Sequence, residues 1–215
     1  MTPDKLISAL GLEIAGPRQA FTGNATAGTL VNSQAERVSS LPGPLLGALR
    51  FVLERERAGS WRATSKNIGR ACGKQLGSGV DAQLAGLKQP ALATLPLETA
   101  LDFLVRHFAL NAWGLLTLDV SAAISHGIVI SHLRNSWFAA ALTDANEYAD
   151  PFFTGVLEGY FEHISGQTLA GAELACSRRG AAHCTFVLTT QERLTPVLPF
   201  IGRETAEAII ARLKT

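Results

Sequence analysis

The sequence predicts an α+β domain: helices come first, and an antiparallel sheet crossed by a glycine-bearing helix follows. Three observations carry this. Apolar residues recur at helical spacing after residue 44, the period falls to two from residue 115, and short turns join the later strand-like segments. Charged residues are 17% and hydrophobic residues 47% of the 215, which sets the chain apart from disordered proteins and is enough for one sizeable core.

A short first helix opens the chain. Residues 11–44 are rich in Gly, Ser, Thr, Asn and Pro and end in the breaker Leu41-Pro42-Gly43-Pro44. Segment 1–44 therefore reads as a loop-rich leader, with the packed domain over 45–190 and a tail over 191–215. From residue 45, Leu46, Leu49, Val52 and Leu53 form a helical stripe that ends in the charged run 54–57. A second helix over 61–76 carries Gly69 and Gly73, small residues four apart that let two helices approach closely. A third over 96–111 turns Leu97, Leu101, Leu104, Val105 and Phe108 inward, with Pro96 in the first turn, where its missing N–H has no helical partner to lose.

Residues 115–121 and 127–133 then read as a hairpin, the second strand placing His126, Ile128, Ile130 and His132 on one face. The stretch 137–149 looks helical, and a longer helix over 151–165 shows an apolar side of Phe152, Val156, Leu157, Tyr160, Phe161 and Ile164. Gly155 and Gly159 face a neighbour. Two more strands, 168–176 and 184–190, flank a tight turn, and a short helix ends the tail after Pro196 and Pro199.

A net charge of +1 without a basic stripe gives little attraction for nucleic acid or anionic lipid. No apolar run reaches membrane-spanning length, and the N-terminus lacks a secretory pattern. Three cysteines, an odd and sparse number, point to the reducing cytoplasm. No nucleotide cofactor site is evident: Gly77-Ser78-Gly79 follows a helix rather than a strand, and Walker, G-x-S-x-G and H-E-x-x-H patterns are missing. Asp144 and Glu147 read as an exposed pair. The balance leans away from an enzyme.

The stretch GAELACSRRGAAHC, residues 171–184, concentrates the chemistry. Strands paired symmetrically about its turn set Cys176 opposite Cys184 on one face. Two thiolates suit zinc, and Glu173 adds an oxygen only if a bulge reverses its direction, because residues three apart in a regular strand face opposite ways. A cross-strand disulfide and two buried free thiols share the same geometry. His183, beside Cys184, should face the surface, and Cys72 reads as core.

From Gly127 to residue 189 the sequence resembles the 4-vinyl reductase (4VR) domain family. The resemblance rests on Asn135-Ser136, Gly155-x3-Gly159-x6-Gly166, Glu173-x2-Cys176 and Gly180-x3-Cys184-x-Phe186, and extends more weakly upstream to residue 45. It implies the fold shared with TRAPP-type trafficking proteins and haem-NO-binding relatives, often dimeric, with a pocket for a small hydrophobic or aromatic molecule. Members include sensors of phenol-responsive regulators and proteins named for bacteriochlorophyll 4-vinyl reduction. In metal-binding members, zinc is held by a cysteine before the glycine helix, the glutamate and two hairpin cysteines. Carried over, these are Asp150, Glu173, Cys176 and Cys184, with Asp150 standing where the family has cysteine.

The resemblance makes the expected function a non-enzymatic sensor or carrier of a hydrophobic or aromatic molecule, with Trp113, His126, His132, Trp137 and Tyr160 as candidate contacts. An accessory or carrier protein in bacteriochlorophyll or other tetrapyrrole synthesis is the second reading. NAWGLLTLD and TGVLEGYFEHI also resemble the non-enzymatic scaffold protein of bacterial cellulose synthase complexes, which implies a role in cellulose biosynthesis and a homodimer or higher oligomer.

Overall fold

The computed structural model describes residues 1–14, 21–32, 37–39, 41–142 and 148–215. In chain order these form α1 (Pro3–Ala9), β1 (Phe21–Asn24), β2 (Thr29–Asn32), β3 (Arg37–Val38), α2 (Gly43–Glu56), α3 (Ser60–Gly86) and α4 (Leu97–Leu110). Next come β4 (Leu115–Asp119), the one-turn α5 (Ala123–His126), β5 (Val129–Arg134) and α6 (Trp137–Ala141). The chain closes with α7 (Pro151–Ser165), β6 (Ala170–Ala175), β7 (Cys184–Thr189), α8 (Gln191–Leu194) and α9 (Ala206–Leu213).

The larger sheet has the order β4-β5-β7-β6 with every neighbouring pair antiparallel, so α7 is the crossing helix that the period change predicted. Alternation divides its side chains between two cores. Val129, Leu133, Phe186 and Leu188 join the buried side chains of α3, α4 and α7, while Ile130, Ala172 and Val187 pack under Leu194, Val197, Ile209 and Leu213 of the tail. The sheet is therefore the middle of three layers.

Glycines set the spacing of the helical layer. A Cβ on Gly69 would stand 2.0 Å from the Phe152 carbonyl oxygen, and one on Gly159 would stand 2.0 Å from that of Arg70. Gly73 and Gly155 make similarly close approaches, so α3 and α7 touch backbone to backbone. Ion pairs edge the contact: Lys66 Nζ lies 2.8 Å from Glu158, Lys74 Nζ lies 3.0 Å from Glu162, and Arg70 also binds Glu162. At 27 residues α3 runs about 40 Å, ten residues beyond its expected end at 76. Gly77 does not stop it because the His163 ring occupies the place of a side chain, and buried Val80 and Leu84 continue the apolar stripe.

Other boundaries also differ from the sequence reading. The leader contains the antiparallel sheet β1-β2-β3, whose strands are too short for a period-two signal to register. Leu6, Ile7, Leu10 and Leu12 are buried in the same cluster as the main helices, so packing begins before residue 45. His126 ends α5 instead of opening a strand. In the stretch 137–149, helix is described only as α6, and residues 143–147, which include Asp144 and Glu147, lie outside the described residues. Among the described residues no helix is long and apolar enough to cross a membrane.

Candidate functional site

The hairpin cysteines meet because β6 carries an extra residue. Glu173 pairs with Phe186 but Ala175 pairs with Thr185, which leaves Leu174 bulged. Leu174 and Ala175 both pack toward the outer cluster, so Glu173 and Cys176 both face inward, as a metal site from this sequence would require. The sulfurs of Cys176 and Cys184 lie 4.0 Å apart as free thiols, and no disulfide joins them. The ligand atoms of Glu173, Cys176 and Cys184 lie within 4.8 Å of one another, and all three residues are buried.

Asp150 completes this corner from the start of α7. It is fully buried, its Oδ1 accepts from Ser136 Oγ at 2.7 Å, and its N–H donates to Glu173 Oε2 at 2.9 Å. Ser136 is itself fixed as the N-cap of α6, accepting from the Ala139 N–H at 3.2 Å. The other carboxylate oxygens, Asp150 Oδ2 and Glu173 Oε1, are buried and lack a hydrogen-bond partner. Buried acceptors of this kind cost free energy until something donates to them or coordinates them.

The electrostatics point the same way. Burial pushes the Asp150 carboxyl up to about 6, and burial together with the Asp150 charge holds Glu173 well above its ordinary value. A hydrogen bond from Cys184 pulls the Cys176 thiol down to about 5, while the same contact pushes Cys184 up. One proton is thus shared between the sulfurs, with Cys176 carrying the thiolate. Four groups that ionise as anions crowd one dry corner, an arrangement that a divalent cation neutralises. The donor set fits zinc: two thiolates on a tetrahedral ion at about 2.3 Å stand roughly 3.8 Å apart, near the separation found here. Ser177 approaches Cys184 Sγ with its N–H at 3.4 Å and its hydroxyl at 3.3 Å, and so orients that sulfur.

At the opposite end of α7 lies a cavity of about 360 Å³. Leu92, Leu95, Ala100, Val129, Phe161 and Leu188 are among its walls, and Ser165 and Gln167 are its polar side chains. Asp81 secures the roof, since Oδ1 accepts from the Leu92 N–H at 2.6 Å and Oδ2 meets His163 Nε2 at 2.7 Å. Tyr160 secures the α4 wall by donating its hydroxyl to the Ala100 carbonyl at 2.6 Å. A smaller cavity of about 270 Å³ lies between α3 and α4, lined in part by Cys72, His107, Asn111 and Trp113.

The residues expected to contact a ligand do not converge on the apolar cavity. Trp113 lines the smaller one and packs on Phe108 and Phe152 with ring centroids 5.3 and 5.9 Å apart. Trp137 packs edge-on against Phe138 at 5.2 Å, and Tyr160 reaches the larger cavity only through Ala100. His126 shares a 2.7 Å hydrogen bond with Ser125, and His132 lies on the outer face of the sheet; neither lines these two cavities. Cys72 is half-buried and lies at a cavity wall rather than sealed in the core. The larger cavity's own lining went unrecognised because, along a sequence, aliphatic residues around a void look like those in a filled core.

The same architecture occurs in the phenol-responsive sensory domain of the transcription activator PoxR, solved with phenol, with a TM-score of 0.64 at 18% identity over 100% of this chain and 98% of that one. This chain has the PoxR sensory-domain fold. A vinyl-4-reductase family protein from Methanocaldococcus jannaschii is also similar, with a TM-score of 0.47 at 21% identity over 71% of this chain and 83% of that one. No family model and no curated protein matches the sequence.

Proposed function

We propose that the chain is a binding module that holds one small, mainly apolar molecule in the cavity at the C-terminal end of α7. The cavity carries this reading. Its volume of about 360 Å³ falls at the lower end of the range for ligand pockets, and its walls are aliphatic and aromatic but for Ser165 and Gln167. The Ser165 hydroxyl is already engaged by the Phe161 carbonyl at 2.6 Å, which leaves Gln167 to meet a polar group on the guest. Among the described residues no acid or base lines the walls, so the reading is of binding rather than chemistry. A single aromatic ring suits the volume and a tetrapyrrole macrocycle exceeds it. The fold shared with a domain solved with phenol supports an aromatic guest.

The corner at the other end of α7 is read as a structural zinc site held by Asp150, Glu173, Cys176 and Cys184. Zinc there would tie the β6-β7 hairpin to the start of α7 and supply the charge that the two orphaned carboxylate oxygens call for. A homodimer is part of the same proposal, with the exposed Leu45, Leu49, Phe51 and Val52 of α2 as its apolar surface.

Thermal shift and calorimetry with phenol and simple alkylphenols test the cavity. A ligand at a hundred times its Kd should stabilise the protein by about 2.7 kcal/mol. Ala123→Trp, at a half-buried wall position, should abolish that shift while leaving the unliganded protein folded. No response to any phenol in the unsubstituted chain, or an undiminished response in Ala123→Trp, refutes the assignment.

A further inference from the structure

We propose that His132 and His183, together with Glu207, form a second site for a divalent transition metal, on the outer face of the sheet and separate from the thiol corner. His132 on β5 is the register partner of Thr185 on β7. Cys184 belongs to the inner core, so alternation puts Thr185 and the preceding His183 on the same outer face as His132. The two imidazole rings stand 4.6 Å apart, centroid to centroid, at 80°. Rings this close bring one nitrogen of each, with a small side-chain rotation, to the roughly 3.4 Å separation of two ligands on a tetrahedral ion.

The surroundings are those of a ligating histidine. Thr185 Oγ1 lies 3.2 Å from His132 Nδ1, and with Nδ1–H donating to that hydroxyl the Nε2 lone pair is left for an ion. Burial, then the neighbouring His183, lowers the basicity of His132 and favours the neutral ring that a metal requires. The charged groups acting on it from the packed elements are Asp119 of β4 and Glu207 in the first turn of α9, and Glu207 acts on His183 as well. Across from Thr185, β6 presents only Ala175. Two imidazoles and a carboxylate select zinc, cobalt, nickel or copper over calcium or magnesium. Because Glu207 belongs to the tail, the ion would join α9 to the sheet.

Cobalt(II) titration of the full chain, followed optically and by equilibrium dialysis, separates the two sites. Thiolates give cobalt an intense charge-transfer band; imidazole and carboxylate do not. The unsubstituted chain should take up cobalt that lacks this band, and His132→Ala and His183→Ala should each lose that portion while keeping any thiolate band. Thr185→Val should weaken the same portion by about tenfold. If the chain takes up only thiolate-bound cobalt, or if both histidine variants bind as much as the original, the proposal fails. Histidine-dependent uptake without any thiolate band would keep this site and remove the zinc reading of the corner.

Discussion

The two ends of α7 are opposites. At Pro151 the helix begins beside a sealed corner of carboxyls and thiols with more acceptors than donors, and at Ser165 it ends beside an open cavity with hardly a polar group. One end is built for a cation; the other is built for an apolar guest. Both arise from one element because α7 is buried along nearly its whole length and is held from α3 by bare backbone contact. The difference between the ends comes from what the neighbouring strands and turns contribute.

The most damaging way to break the comparison is to part the two helices. Gly159→Ala places a carbon 2.0 Å from the Arg70 carbonyl oxygen, where only backbone movement can relieve the clash. We expect a loss of about 4 kcal/mol or more in urea unfolding, with both ends of α7 disturbed. A value below about 1 kcal/mol would mean the helices slide apart freely.

A smaller effect should come from the polar end alone. Asp150 has its carboxyl raised from 3.8 to about 6 by burial, so the folded metal-free chain holds a proton that the unfolded chain releases. Its contribution is therefore most favourable below pH 4 and is lost as the pH rises through 6. Asp150→Asn should remove that loss, stabilising the metal-free protein at pH 8 by about 3 kcal/mol, while weakening zinc retention. Chemical denaturation in chelator across pH 4–8 checks the first, and metal analysis checks the second. A variant less stable than its parent at pH 8 would show that the carboxylate is already well compensated.

The mildest change sharpens the apolar end. Tyr160→Phe deletes the hydroxyl that holds the Ala100 carbonyl and should cost about 1 kcal/mol, with the cavity wall on α4 loosened and phenol binding weakened. Unaltered binding would confine the role of Tyr160 to stability.

Sequence reasoning saw the parts of this molecule unevenly. It read α7 to the residue, because Pro151 opens the helix and Gly166, at φ 69°, closes it. It stopped α3 too early because glycine in a helix ordinarily signals weakness, whereas here each glycine is a contact with another chain segment. The facing sulfurs were visible from hairpin symmetry, but Asp150 was visible only through the family resemblance. The bulge at Leu174 could be stated only as a requirement, because nothing local distinguishes an extra residue in a strand from a regular one. The cavity left no sequence trace at all: composition records which residues are apolar, and a void is a property of how they fail to meet.

That additional residue at Leu174 makes the hairpin's chemistry depend on odd and even counting. Leucine there is replaceable by other apolar side chains, but the number of residues between Glu173 and Cys176 is not adjustable. Shorten the segment by one and the carboxylate and the sulfur part company across the sheet, so single-residue deletions in this turn should be rejected where substitutions are accepted.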